Sequence, residues 1–147
     1  MKKSFLIIFL FLVQLNLFSA DHTVKMLNQG ATGIMVFEPA FLKINLGDTV
    51  TFESTDAAHN SASIPGMLPE GASSWNGVLS RDLSVTFDIP GVYGYQCTPH
   101  SMMAMVGVIQ VGDNTSNLTS AKSAADIFKS SFVMNQSRLD DYLSQIN

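Results

Sequence analysis

The chain opens on an apolar run from Phe5 to Val13, extended weakly to Phe18, behind Lys2 and Lys3. Ser19 and Ala20 then supply small residues before a polar, charged stretch begins at Asp21. A positive start, a short apolar stretch and small residues, in that order, predict a cleavable secretory leader over residues 1–20. A membrane anchor fits less well. A spanning helix needs ~20 apolar residues, and Gln14 and Asn16 interrupt this run. Phe18 is bulky for the third position before a cut after Ala20, so the junction is defined only to within a residue or two. No cysteine lies in this stretch, which excludes a lipoprotein-type anchor.

From Asp21 to about Asp113 the pattern changes to period two. Thr49–Glu53, Leu83–Asp88 and Val106–Val111 are rich in Val, Phe, Ile and Thr, and weaker runs sit at Val24–Leu27, Met35–Glu38, Phe41–Asn45 and Val92–Cys97. Turn formers separate them: Gln29-Gly30, Gly47-Asp48, Pro65-Gly66, Pro90-Gly91 and Gly112-Asp113. About seven short strands at this spacing predict a mainly β fold, a β-sandwich or Greek-key barrel. The segment from His59 to Ser80 has little periodicity and reads as a long loop with a helical turn near Trp75; loops of such length within a domain usually carry function.

After the polar linker Asn114–Asn117 the period becomes helical. Leu139, Tyr142, Leu143 and Ile146 fall at i, i+3, i+4 and i+7, and Ile127, Phe128, Phe132 and Val133 fit an earlier helix from about Ala121. The tail carries only Lys122, Lys129 and Arg138 against Asp126, Asp140 and Asp141, so it is expected to pack on the sandwich rather than on a membrane. Residues 21–147 have the size of one domain, including a helical extension from about residue 118.

Charge narrows the partners. The whole chain has a formal charge of −4; without Lys2 and Lys3 six basic residues face twelve acidic ones, giving −6. No basic run exists, so nucleic acid is not an expected partner. Cys97 is the single cysteine. An exported chain cannot pair it internally, so the thiol is buried, bonded to another chain, or a ligand.

The residues around Cys97 decide among these. Gln96-Cys97-Thr98-Pro99-His100-Ser101-Met102-Met103-Ala104-Met105 gathers a thiol, an imidazole and three thioethers on one loop between two strand candidates. Soft sulfur with imidazole selects copper or zinc, and two His with one Cys and a weak axial Met is the set used by electron-transfer copper. A second His must come from elsewhere. His22 sits beside the expected new N-terminus, where chains fray, whereas His59 follows a strand and can reach the pole of Cys97. Met102 is too near His100 to fold back. Met103 and Met105 are both feasible; Gly107, opening the next strand, places Met105 at the loop-to-strand junction and favours it. Asn60 and Thr98 adjoin these residues and are candidates to hydrogen-bond the two loops together. A buried Cys is more often core than ligand, a solitary His is more often a surface group, and Met-rich loops can be interaction surfaces. Their coincidence on one loop favours the metal.

Several motifs resemble the cupredoxin family, and within it the pseudoazurins: Met26-Leu27-Asn28, Met35–Ala40, Gly47–Phe52, His59-Asn60, Pro69–Ala72 and Cys97-Thr98-Pro99-His100. The resemblance implies an eight-stranded Greek-key sandwich with two C-terminal helices. It implies one type 1 (blue) copper ion held by His59, Cys97, His100 and Met105, with Asn60 as the supporting Asn. It also implies a periplasmic, monomeric one-electron carrier, not an enzyme. Its partners would be redox proteins such as a copper nitrite reductase, a terminal oxidase or a cytochrome. One departure stands out. Pseudoazurins ring the copper edge with lysines, but the matching positions here are Gln29, Ala57, Asn76 and Gln96. Met35, Met67, Pro99, Met102 and Met103 are expected to form an apolar patch instead. The alternative function is copper storage or delivery, which the extra methionines favour. A multicopper enzyme is excluded, because three histidines cannot supply further copper clusters.

Overall fold

In the computed structural model, which describes residues 19–147, Val24 and Met26 are sealed from solvent while Thr23 and Lys25 are exposed. This alternation gives their strand, β1 (Asp21–Gly30), one core face and one wet face. β1 pairs antiparallel with β2 (Gly33–Glu38) and parallel with β4 (Thr49–Glu53), which pairs with β6 (Leu83–Thr86). The second sheet has the order β3 (Phe41–Ile44), β8 (Val106–Val111), β7 (Gly91–Gln96), β5 (Ala62–Ser63). The fold is a mainly β sandwich of eight strands in two sheets, where the strand pattern predicts about seven and the family resemblance eight. The leader expected over residues 1–20 lies outside the described residues, apart from Ser19 and Ala20.

β7 and β8 are buried almost throughout rather than on alternate residues. The reason lies in the tail. Helices α1 (Leu118–Lys129) and α2 (Arg138–Leu143) cover the outer face of this sheet, α1 on β7 and α2 on β8, so both sheet faces are dry. Leu139, Tyr142 and Leu143 are buried as the stripe predicts. The earlier helix differs from its sequence pattern: it turns the small Ala121 and Ala125 inward, and Ile127 and Val133 are exposed. Close approach of α1 to β7 needs small residues, and that outweighs the hydrophobicity of Ile127. The helical turn expected near Trp75 is likewise absent; that stretch is extended, with Ser63 N–H donating to Trp75 O at 3.0 Å and Asn76 bridged to Ala62.

Aromatic rings fill the space between the sheets. Tyr95 lies 4.8 Å from Phe37 and 5.0 Å from Phe52, ring centre to ring centre. Gly107, opposite Tyr95 on the neighbouring strand, leaves room for that ring: a Cβ there would strike the Tyr95 ring and come within 2.7 Å of Ala40 O.

At the end of the first sheet away from His59, the turn before β4 buries Asp48 completely. Its carboxylate accepts hydrogen bonds from Ala20 N–H (2.8 Å), His22 Nε2 (2.8 Å) and Asn45 N–H (2.9 Å). His22 is therefore tied down rather than frayed. It is engaged far from Cys97, so it is set aside as a ligand for a different reason from the one its position suggested. Burial opposes ionisation of Asp48, yet these bonds outweigh that cost and hold its carboxyl below the ordinary value. A depressed carboxyl contributes stability above its ordinary value and loses it as pH falls through the folded value. The protein should thus lose thermal stability below about pH 4. Asp48→Asn, melted across the same pH series, should be less stable near neutrality and fall more shallowly on acidification.

Candidate metal centre

The pairing of Ala62 with Gln96 brings two distant loops together. Reading outward from that pair, His59 and Asn60 arrive opposite Cys97 and Thr98. Asn60 locks the arrangement. Its Oδ1 accepts Thr98 N–H at 2.8 Å, and its Nδ2 faces Thr98 Oγ1 (3.2 Å), Gly77 O (3.0 Å) and Asn76 Oδ1 (3.2 Å). Asn60 and Thr98 thus join the loops as their positions beside His59 and Cys97 suggested.

The second loop is closed by its own backbone. After Cys97 the chain turns through a 3-10 helix, Thr98–Met103, with Pro99 in its first turn. Ala104 then adopts a left-handed conformation (φ 59°, ψ 39°), which reverses the chain. Met105 returns beside Cys97: Cys97 N–H donates to Met105 O at 2.9 Å, and Met105 N–H donates to His100 O at 3.2 Å. Met105 is fully buried, whereas Met103 is only partly so.

Three donor atoms converge. His59 Nδ1 lies 3.1 Å from His100 Nδ1 and 3.5 Å from Cys97 Sγ, and His100 Nδ1 lies 3.4 Å from Cys97 Sγ. The centre of a triangle with these sides is about 1.9 Å from each corner (the mean side divided by √3). That is close to the ~2.0–2.3 Å of bonds from a first-row ion such as zinc to imidazole nitrogen and thiolate sulfur. The chain's atoms therefore fit a metal without rearrangement. Burial pushes the Cys97 thiol up, against hydrogen bonds from the Asn60 and His100 N–H groups. Burial, helped by the neighbouring His100, pushes His59 down. Both shifts favour neutral groups, which lets these donors crowd together in a dry site.

His59 and Cys97 have no exposed surface, while His100 is half-buried and is the corner that reaches solvent. His59 turns its other nitrogen, Nε2, to Asn28 Oδ1 at 3.0 Å. Asn28 can only accept there through its carbonyl, so the bond puts the proton on Nε2 and leaves Nδ1 free as a donor to metal.

A family model described as copper binding proteins, plastocyanin/azurin family, matches residues 24–112. The chain belongs to this family of copper-binding proteins. The pseudoazurin of Paracoccus pantotrophus is 44% identical over 130 residues, 88% of this chain and 86% of that protein. The pseudoazurin of Methylorubrum extorquens is 43% identical over 123 residues, 84% of this chain and 80% of that one. The crystal structure of pseudoazurin from Methylobacterium extorquens AM1 superposes with a TM-score of 0.77 at 42% identity, over 86% of this chain and 99% of that one. Copper is the metal that this cupredoxin site is built to take, and the thiolate–imidazole donor set agrees.

Two residues of the site are silent in the sequence pattern. Asn28 lies 31 residues before His59, on β1, and the pairing of β1 with β4 brings it there. Arg138 is the other. Its guanidinium, 8% exposed, has no carboxylate partner among the described residues and donates from Nη1 to Met35 O (3.0 Å) and Ala104 O (3.1 Å). Met35 and Ala104 are both non-glycine residues at positive φ, a conformation that costs roughly 1–2 kcal/mol. Arg138 thus holds in place the reversal that delivers Met105. Arg138→Met keeps the side-chain bulk and removes these bonds. It should destabilise the protein by about 1–3 kcal/mol in chemical denaturation and alter the visible spectrum of the copper-loaded protein, whereas Lys129→Met, on an exposed ion pair, should leave that spectrum unchanged.

Proposed function

We propose that the protein is a soluble one-electron carrier, exported to the periplasm by a cleavable leader. In this reading His59, Cys97, His100 and Met105 would hold one type 1 copper ion. The observation that carries the reading is the triangle of Cys97 Sγ, His59 Nδ1 and His100 Nδ1. Copper bound there supplies a Cu(I)/Cu(II) couple. The chain's contribution is rigidity. Asn28 fixes the orientation of His59, Asn60 fixes the separation of the two loops, and the Cys97–Met105 backbone bond closes the ligand loop. A site that barely rearranges between two oxidation states exchanges electrons quickly. No helix among the described residues is long and apolar enough to cross a membrane.

His100 gives the site its contact with a partner. Around it the surface is apolar. Pro99 and Met102 are exposed; Val133 N–H donates to Met102 O; and Ser80 N–H donates to His59 O, which sets the exposed Val78 and Leu79 beside the site. Ile34 is drawn to the same pole through Arg138. Met67 is a correction to the expected patch: it is fully buried, its thioether packed against Gly94. Gln29, Ala57 and Asn76 are exposed and uncharged, and Arg81 and Asp82, just beyond, are of opposite sign. Docking to a redox partner through this surface is therefore apolar and weakly steered. Of the extra methionines that favoured copper delivery, Met26 and Met67 are in the core, Met35 and Met103 are partly buried, and Met102 is exposed.

Adding Cu(II) should give an intense visible band and a narrow copper hyperfine splitting in EPR, both lost in Cys97→Ser. Their absence from the unmodified protein would remove the copper assignment. Replacing Met105 by Gln should shift that spectrum, and the same change at Met103 should not. Electron-transfer rates to a purified nitrite reductase or cytochrome should change less than about threefold between low and physiological salt; a steep decline would show charge steering instead.

A further inference from the structure

Asp48 is the only buried carboxylate among the described residues, and the site metal plays no part in its environment. A buried anion is costly unless a cation or several hydrogen bonds meet it. Its Oδ2 faces His22 Nε2 and Asn45 N–H, and its Oδ1 faces the backbone nitrogen of Ala20 at 2.8 Å. Ala20 is held from both sides, because its carbonyl accepts Thr49 N–H at 2.9 Å. Ser19, one residue earlier, is exposed and makes a single side-chain bond, from Oγ to Gly47 O. Ala20 is thus the first of the described residues whose backbone is hydrogen-bonded on both sides.

We infer that Asp48 is the receptor for the protein's processed amino terminus, created by cleavage between Ser19 and Ala20. This rests on the reading that the chain is exported by a cleavable leader. Hydrolysis of the Ser19–Ala20 amide by water leaves a carboxylate on the released leader and an amine on Ala20, which is an ammonium near neutral pH. That nitrogen already stands at hydrogen-bond distance from Asp48 Oδ1, so processing turns a neutral amide contact into an ion pair without moving an atom. The remaining ammonium protons face solvent, since Ala20 is exposed. A cut one residue later would delete both the Ala20 donor to Asp48 and the Ala20 acceptor for Thr49. The cut after Ser19 also fits the peptidase's preference for small residues next to the scissile bond, and it puts Leu17 rather than the bulkier Phe18 at the third position.

The test starts with the full chain, expressed with its own leader and recovered from the periplasm for intact mass and N-terminal sequencing. The expected chain begins at Ala20. A chain that begins at Asp21 or beyond overturns the inference while sparing the export reading; an uncleaved chain overturns the export reading itself. A second comparison uses a leaderless chain made to start at Ser19, which keeps every hydrogen bond described above but moves the charge one residue away. It should melt several degrees below the chain starting at Ala20, and Asp48→Asn should abolish that difference. Equal melting temperatures with Asp48 intact overturn the ion pair.

Discussion

Asn60 carries the constraint on which the site depends. A single carboxamide accepts the Thr98 N–H and donates across to the 76–77 turn and to Thr98 Oγ1. Without it, the backbones of the loop bearing His59 and the loop bearing Cys97 and His100 would rely on the short β5–β7 pairing. Both loops are ends of strands, so the sandwich sets their general position. The carboxamide sets the last ångström, and it does so in a buried place where an unpaired polar group is costly. That cost makes the arrangement close to all-or-none, which suits a metal site that must not relax between oxidation states.

The same logic of satisfied buried polar groups recurs around the site. Asn28 meets the far side of His59, and Arg138 meets the carbonyls of Met35 and Ala104. Each removes a degree of freedom from a group near the metal. Their origins differ: Asn28 belongs to the first sheet, Arg138 to the C-terminal helix α2, and the ligand loop to the second sheet. The helical tail is therefore more than a cover for β8. Through Arg138 it reaches the turn that returns Met105 to Cys97. The opposite pole is organised in the same way around Asp48, whose hydrogen bonds join the start of β1 to the turn before β4.

The surface above the site is set by omission. Uncharged residues occupy the rim, and Val78, Leu79, Met102 and Val133 stand exposed around His100. An isolated apolar residue on a surface means little, but these are grouped beside the one corner of the donor triangle that reaches solvent. Long-range charge attraction has little to act on there.

Much of this was legible in the chain itself, because it rests on local rules. Period-two alternation marked seven of the eight strands, and β5 escaped because two residues carry no period. The stripe of Leu139, Tyr142 and Leu143 marked α2. The chemistry of Cys97, His100 and the methionines needed only nine residues of sequence. The position of His59 just after a strand, against that of His22 near the expected N-terminus, pointed to the second imidazole. Tertiary structure decided whatever depends on contacts between distant residues. It placed Asn28 behind His59, Arg138 behind Ala104 and Ala20 against Asp48. It hid Met67 and turned Ile127 outward, because close packing of a helix on a sheet selects for size where sequence pattern registers only hydrophobicity. Periodicity is a property of neighbours along the chain; hydrogen-bond satisfaction and packing are properties of neighbours in space, and only the folded chain brings those together.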